Sequence, residues 1–203
     1  DANCAVLAEW WAGAGAGEDI KHLVMFTLGT GIGGGVISDD RLIRGATGMA
    51  GELGHTIVEP HADSKEPIRR CKNTGVSGLL EQYASARALA TRAREELSQP
   101  GQTSSLIGKE EVTAKDVFEH ASAGDALAIK LVEEATDYLA VGLINACRAF
   151  DPQVIVLSGG MALAGEELLR PLTKHFRRRW WKIQPESTVR IVLACTGHSA
   201  GVL

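Results

Sequence analysis

The chain has 203 residues, 45% of them hydrophobic, enough to bury a sizeable core in one or two domains. A net charge of −4 and a pI of about 5.9 exclude a general affinity for nucleic acid, and no apolar run reaches the length of a membrane span or reads as a signal peptide. Four scattered cysteines, Cys4, Cys71, Cys147 and Cys195, form no CxxC pair, which points to free thiols in a reducing compartment, the cytoplasm.

Residues 2–13 are Ala-rich around the apolar pair Trp10-Trp11 and read as a buried helix. Asp1 stands where an N-cap belongs, with Asn3 behind it, and a capping carboxylate is its plainest reading. Ala12 to Gly17 is a flexible turn. Two apolar runs, His22 to Phe26 and Val36-Ile37, then flank Thr27-Leu28-Gly29-Thr30-Gly31-Ile32-Gly33-Gly34-Gly35, the pattern of a β-hairpin with a glycine turn. Glycines at positive φ, with no Cβ in the way, let a phosphate oxygen reach backbone N–H groups, and the Thr27 and Thr30 hydroxyls add donors. A glycine-rich hairpin with a structural bulge is the alternative. The spacing lacks the Lys of a Walker loop and the helix that a Rossmann turn opens. A polar turn at Asp39-Asp40 leads to a short third strand.

Gly45 to His55 is a second glycine-dense stretch and reads as a loop. Glu52 and His55, three apart, either serve one polar ligand together or are incidental residues of a surface turn. Thr56-Ile57-Val58 reads as a strand, followed by a polar loop to about Ser77. Leu79, Leu80, Tyr83, Leu89 and Leu97 recur at helical spacing and predict one helix from Gly78 to Glu96. Glu81 lies in its first turn, where the dipole favours a carboxylate.

After a loop over 98–111, Thr113-Ala114-Lys115-Asp116 is an imperfect capping box opening a short helix that Gly124 ends. A long helix runs from Asp125 to Phe150 and breaks at Asp151-Pro152. Val154-Ile155-Val156-Leu157 is a fully apolar strand, expected to be buried on both faces. Gly159 and Gly160 follow at its carboxyl end, where open α/β sheets bind ligands. A helix is expected from Leu163 to Trp181; its basic run His175 to Lys182 reads as a solvated, dipole-complementing end rather than a nucleic-acid or membrane site. Val189 to Ala194 is a last strand, and Gly197 to Gly201 a tight turn.

Five stretches in register now carry a family resemblance: Asp1-Ala2-Asn3, Thr27 to Gly35, Gly51-Glu52-Leu53-Gly54-His55, Leu80 to Ser85, and Leu157-Ser158-Gly159-Gly160-Met161. Their order and spacing resemble those of the ROK sugar kinases, glucokinases among them, over essentially the whole chain. The resemblance implies an α/β, actin-like ATPase (ribonuclease H-like) fold, a mixed sheet flanked by helices, with ATP and sugar in a cleft between two lobes. It implies that Asp1 is the catalytic base and touches the sugar, accepting the proton of the hydroxyl that attacks the γ-phosphate. It places Thr27, Gly29, Thr30 and Gly31 in a phosphate-binding loop, Glu52, His55 and Glu81 at sugar hydroxyls, and Gly159 and Gly160 on the adenosine side. ATP with Mg²⁺ and a hexose follow as ligands and a homodimer as the assembly, with no nucleic-acid or membrane partner. The chemistry fits, because phosphoryl transfer asks mainly for positioning and charge stabilisation.

Two departures from the family pattern stand out. Lys72, Thr74 and Leu79 occupy the cysteine positions of the family's CxCGxxGCxE zinc motif, and Cys71 is one residue out of register. A structural zinc wants four N or S ligands; His55, Cys71 and His61 would offer three, so no zinc is expected and His55 is kept for sugar. The resemblance also assigns residues 1–203 to the large C-terminal lobe. The small N-terminal lobe, with its Asp-x-Gly-x-Thr phosphate loop, would lie upstream of Asp1, and the isolated chain is then expected to be inactive. The reading is an ATP-dependent hexose kinase acting on glucose at O6. The alternatives are an N-acetylhexosamine kinase, a ROK-type sugar-binding regulator that does not phosphorylate, and a short binding or dimerisation module.

Overall fold

Strict alternation of apolar side chains builds the sheet. In β1 (Leu23–Leu28), Val24, Phe26 and Leu28 enter one core while Leu23 and Met25 enter another. β4 (Val154–Ser158) does the same with Ile155 and Leu157 against Val154 and Val156, so it is buried on both faces as its composition predicts. The structure is a computed structural model that describes residues 1–16, 19–61, 71, 74–180 and 189–195.

The five-stranded sheet has the order β3-β2-β1-β4-β5, with β2 at Ile32–Ser38, β3 at Arg41–Leu42 and β5 at Arg190–Leu193. β1 pairs antiparallel with β2, from Leu28 opposite Ile32 to Leu23 opposite Ile37, and parallel with β4; β4 pairs parallel with β5. Asp39 and Asp40 both take positive φ between β2 and β3, the conformation a two-residue hairpin turn demands. The carboxyl ends of β1 and β4 therefore lie together, beside the start of β2.

Helix α1 (Ala2–Ala12) covers one face of the sheet through Ala5, Val6 and Ala8. The other face carries α2 (Glu81–Ala84), α3 (Ala86–Leu97), α4 (Ala114–Ser122), α5 (Ala126–Phe150) and α6 (Glu166–Arg179), with α5 as its spine. The mixed sheet flanked by helices is the layered α/β arrangement expected.

Four local expectations need correction. Trp10 and Trp11 are not a buried pair: Trp11 is 82% exposed, and Trp10 is half-buried with its Nε1 donating to the Ile20 carbonyl. Thr56-Ile57-Val58 forms a single bridge, Ile57 to Leu79, instead of a strand, because its neighbour turns into a helix two residues later. The helix expected over 78–96 is two helices: Ser85 leaves α2 in an extended conformation and caps α3 by accepting from the Ala88 N–H. The helix expected from Leu163 is a 3₁₀ turn, Gly160–Ala164, and then α6, separated by Gly165 at positive φ.

The basic end of α6 is also only partly solvated. His175 and Phe176 are buried against α5, the His175 Nε2 lies 2.7 Å from Glu133, and both Arg178 and Arg179 reach Asp137. Trp181 and Lys182 lie outside the described residues, as do the Gly197–Gly201 turn and Lys72.

The capping box at α4 is complete, with Asp116 serving where Glu is commoner. Asp125 caps α5 by accepting from the Ala128 N–H and also holds the 104–105 loop through the Ser105 N–H and the Ser104 and Ser105 hydroxyls. Burial would raise its carboxyl, but those bonds outweigh burial and bring it down to about 2. A depressed carboxyl stabilises the fold above its unfolded value and loses that contribution as pH falls. Asp125→Ala is therefore expected to cost about 1–2 kcal/mol at neutral pH, with the gap to wild type closing between about pH 4 and pH 2. Denaturant melts across that range check it.

Candidate functional site

The candidate residues collect at one end of the sheet, around Ile32, the first residue after the Gly29-Thr30-Gly31 turn. The Ile32 N–H donates to Glu81 Oε2 at 3.0 Å. A Cβ on Gly54 would overlap the Ile32 carbonyl, so the 3₁₀ turn Leu53–His55 lies directly on the β2 backbone and carries Glu52 and His55 with it. Gly34 and Gly51 face each other backbone to backbone in the same layer, a Gly34 Cβ meeting Leu53 Cγ at 2.6 Å. On the opposite face, Ala2 packs on Gly33, which brings the start of α1 and Asp1 to the same end of the strand. Gly159, at positive φ after β4, abuts Leu28 at the end of β1, with 2.5 Å from a would-be Cβ to the Leu28 carbonyl.

The glycines of the hairpin thus have a different cause from the one expected. None of Gly29, Gly31, Gly33, Gly34 and Gly35 has positive φ. Four of them are small because something lies against them: Glu81 on Gly31, Thr27 and Ala2 on Gly33, Gly51 and Leu53 on Gly34, and Val6 on Gly35. Gly29 alone has nothing within 4 Å of a Cβ and stands open at the turn. Thr30 beside it is exposed, and Thr27 is half-buried with Oγ1 2.5 Å from where a Gly33 Cβ would be.

Asp1 occupies the N-cap position of α1 but its side chain makes no capping bond, and it is exposed. Its carboxylate is not engaged by the helix it precedes. Glu52 and His55 are a partly exposed pair, 52% and 37% by side chain, with His55 Nδ1 3.7 Å from Glu52 Oε2. Glu81 is 20% exposed and lies 3.5 Å from the Arg87 guanidinium. Its carboxylate reaches across to the hairpin instead of turning back on its own four-residue helix. Gly160 has open space where a Cβ would be and begins the 3₁₀ turn after β4. Candidate acceptors for hydroxyls, an open glycine turn for phosphate, and a carboxylate at a helix start thus share one end of the sheet.

Sequence reasoning missed two residues around this site and one buried acid elsewhere, in α1. Arg87 is the cation beside Glu81, and Ser85 sets the break that lets the Ala86 N–H donate to the Gly29 carbonyl. Ser85 before Ala-Arg-Ala was a readable N-cap signal. Glu9 is fully buried in α1, its Oε2 accepting from the Ala14 and Cys195 N–H groups; a lone carboxylate in an apolar helix was the available sign. Among the described residues, no group of three or more His, Cys, Asp or Glu is arranged to hold a metal ion, and no helix is long and apolar enough to cross a membrane.

The ROK family profile matches residues 1–203. The chain is 37% identical over its whole length to a glucokinase of Halalkalibacterium halodurans, of which the match covers 60%. It is 40% identical to a glucokinase of Thermotoga maritima, over 85% of this chain and 52% of the relative, and 33% identical to an N-acetylmannosamine kinase of Citrobacter koseri, over 100% and 61%. Among solved structures, a ROK family glucokinase from Streptomyces griseus in complex with glucose and AMPPNP superposes with a TM-score of 0.83 at 31% identity, covering 98% of this chain and 63% of that one. A ROK family transcriptional regulator, a homologue of the E. coli MLC protein, gives 0.84 at 26% identity, covering 99% and 48%. The chain spans less than two thirds of the length of each of these proteins. It shares their actin-like ATPase fold, and it belongs to the ROK family.

Proposed function

We propose that this chain is the large lobe of an ATP-dependent hexose kinase that phosphorylates glucose at O6. One observation carries the reading: Asp1, released from capping α1, shares the end of β2 with the Gly29-Thr30-Gly31 turn and with Glu52, His55 and Glu81. The 37% and 40% identities to glucokinases support it.

In this reading Glu52, His55 and Glu81 accept from sugar hydroxyls and fix the ring, so that a ligand lacking those hydroxyls forfeits the bonds that hold it. Asp1 receives the proton of the attacking hydroxyl as the new bond to phosphorus forms. The Gly29–Gly31 turn and the Thr27 and Thr30 hydroxyls face the transferring phosphate, and Gly159 and Gly160 border the nucleotide. Mg²⁺ bound with ATP would be held mainly through phosphates and water, with the Thr27 and Thr30 hydroxyls as hard oxygen donors that suit it, which leaves the Asp1 carboxylate free to take the proton. When bound, the ion neutralises phosphate charge. A cytoplasmic location and a homodimer belong to the same reading.

An N-acetylhexosamine kinase is the second reading, supported by the 33% identity to an N-acetylmannosamine kinase. Calorimetric titration of the full-length protein with glucose and with N-acetylmannosamine separates the two. Glucose is expected to bind more tightly, and Glu52→Gln is expected to weaken it about ten- to a hundredfold, the range for one hydrogen bond to a charged group. Preference for the acylamino sugar would favour the second reading, and unchanged glucose affinity in Glu52→Gln would remove Glu52 from the site.

A further inference from the structure

The sugar side and the phosphate side of the proposed site share one carboxylate. Glu81 Oε2 accepts from the Ile32 N–H at 3.0 Å, one residue past the turn, while its carboxylate lies where a Gly31 Cβ would be. Oε1 points to Arg87, 3.5 Å away, and the group stays 20% exposed. A second tie runs in the opposite direction a few residues on, from the Ala86 N–H to the Gly29 carbonyl at 2.9 Å. Glu81 at the start of α2 and Ala86 at the start of α3 therefore grip the turn on both sides, at Ile32 and at Gly29. The same segment is joined to the Glu52–His55 turn, through Leu80 N–H to the Thr56 carbonyl and the Thr56 hydroxyl to the Leu53 carbonyl.

We infer that Glu81 is a positioning residue for the phosphate turn as well as a sugar contact, so that it couples nucleotide and sugar binding. This rests on the kinase reading above. Oε2 is committed to the turn, which leaves the Oε1 edge, beside Arg87, to take a sugar hydroxyl. A hydroxyl donating there shifts the carboxylate that holds Ile32, and a phosphate drawing on the turn shifts the same carboxylate from the other side. Coupling of this kind is reciprocal: each ligand changes the other's affinity by the same factor. A side chain at Gly31 would displace the Glu81 carboxylate and with it the bond to the Ile32 N–H.

The test separates the clamp from a simple sugar contact by working without sugar. Affinity for AMPPNP with Mg²⁺ is measured in the full-length protein for wild type, Glu81→Ala, Glu81→Gln and Glu52→Gln, alongside exchange of the Ile32 amide hydrogen in the ligand-free proteins. Glu81→Ala is expected to lose Ile32 protection and to bind AMPPNP about ten-fold more weakly, the loss of one bond to a charged acceptor. Glu81→Gln keeps an oxygen for the Ile32 N–H and is expected to restore both to within about two-fold, while Glu52→Gln, which does not touch the turn, binds AMPPNP as wild type does. Wild-type affinity and Ile32 protection in Glu81→Ala would overturn the clamp and leave the kinase reading standing. So would a Glu81→Gln protein as weak as Glu81→Ala. A wild-type protein that binds no AMPPNP, with Ile32 protected, would instead overturn the kinase reading on which the coupling depends.

Discussion

Asp1→Asn in the full-length protein is expected to lower kcat by about 10²–10⁴-fold while sugar and nucleotide still bind, since an amide of the same size cannot take the sugar proton. The structure sharpens this expectation. Because the Asp1 side chain makes no bond to the first turn of α1, neither Asn nor Ala at this position is expected to change the melting temperature measurably. A residue that acted only as an N-cap would behave the other way round, with near-normal kcat in Asn and a loss of about 1 kcal/mol in Ala. Turnover and melting temperature of the two variants decide between these roles, and Asp1→Asn at wild-type kcat would remove Asp1 as the base.

Gly54→Ala is expected to be strongly damaging for so small a substitution. Its Cβ would overlap the Ile32 carbonyl, with the Ile32 Cβ at 2.9 Å, and the carbonyl belongs to a strand paired along β1 and cannot swing aside. Overpacking against backbone belongs at the upper end of the usual penalty, about 2–3 kcal/mol, or roughly 5–10 °C in melting temperature. The strain also lifts the 3₁₀ turn off β2, so Glu52 and His55 move and glucose affinity falls with stability. Gly29→Ala is the matching contrast. With nothing within 4 Å and no positive φ, it is expected to leave the melting temperature unchanged and to weaken only nucleotide binding, because the methyl group enters the open side of the turn. Equal melting temperatures for Gly54→Ala and wild type would show that the turn can yield.

What the sequence disclosed and what it hid follow from the range of the interactions. The apolar run His22 to Phe26, the unbroken apolar run at Val154–Leu157, the Thr113–Asp116 box and the Asp39-Asp40 turn are local signals, and each produced its element. The hairpin was legible as a hairpin, but the reason for its glycines was not. Gly34 is glycine because Gly51 lies on it, and Gly31 because Glu81 does; those partners are distant in sequence, and no local pattern announces them. The same holds at Glu81. Its place near a helix start suggested a dipole contact, yet its carboxylate answers a donor in Ile32, 49 residues away. The break at Ser85 was hidden because helical periodicity runs through it, while a tertiary tie, Ala86 N–H to the Gly29 carbonyl, goes with the turn of the chain at Ser85. Glu9 escaped notice because composition averaged it into an apolar helix.

Turnover of the full-length protein with glucose and Mg·ATP tests the central claim most directly, with ADP release followed by a coupled assay and the sugar product identified by phosphorus NMR. The account predicts saturable formation of glucose 6-phosphate, one ADP per sugar phosphorylated, falling by about 10²–10⁴-fold in Asp1→Asn. Tight glucose binding with no ADP formed above the rate of a sugar-free control would contradict it and identify a sugar sensor on the kinase fold.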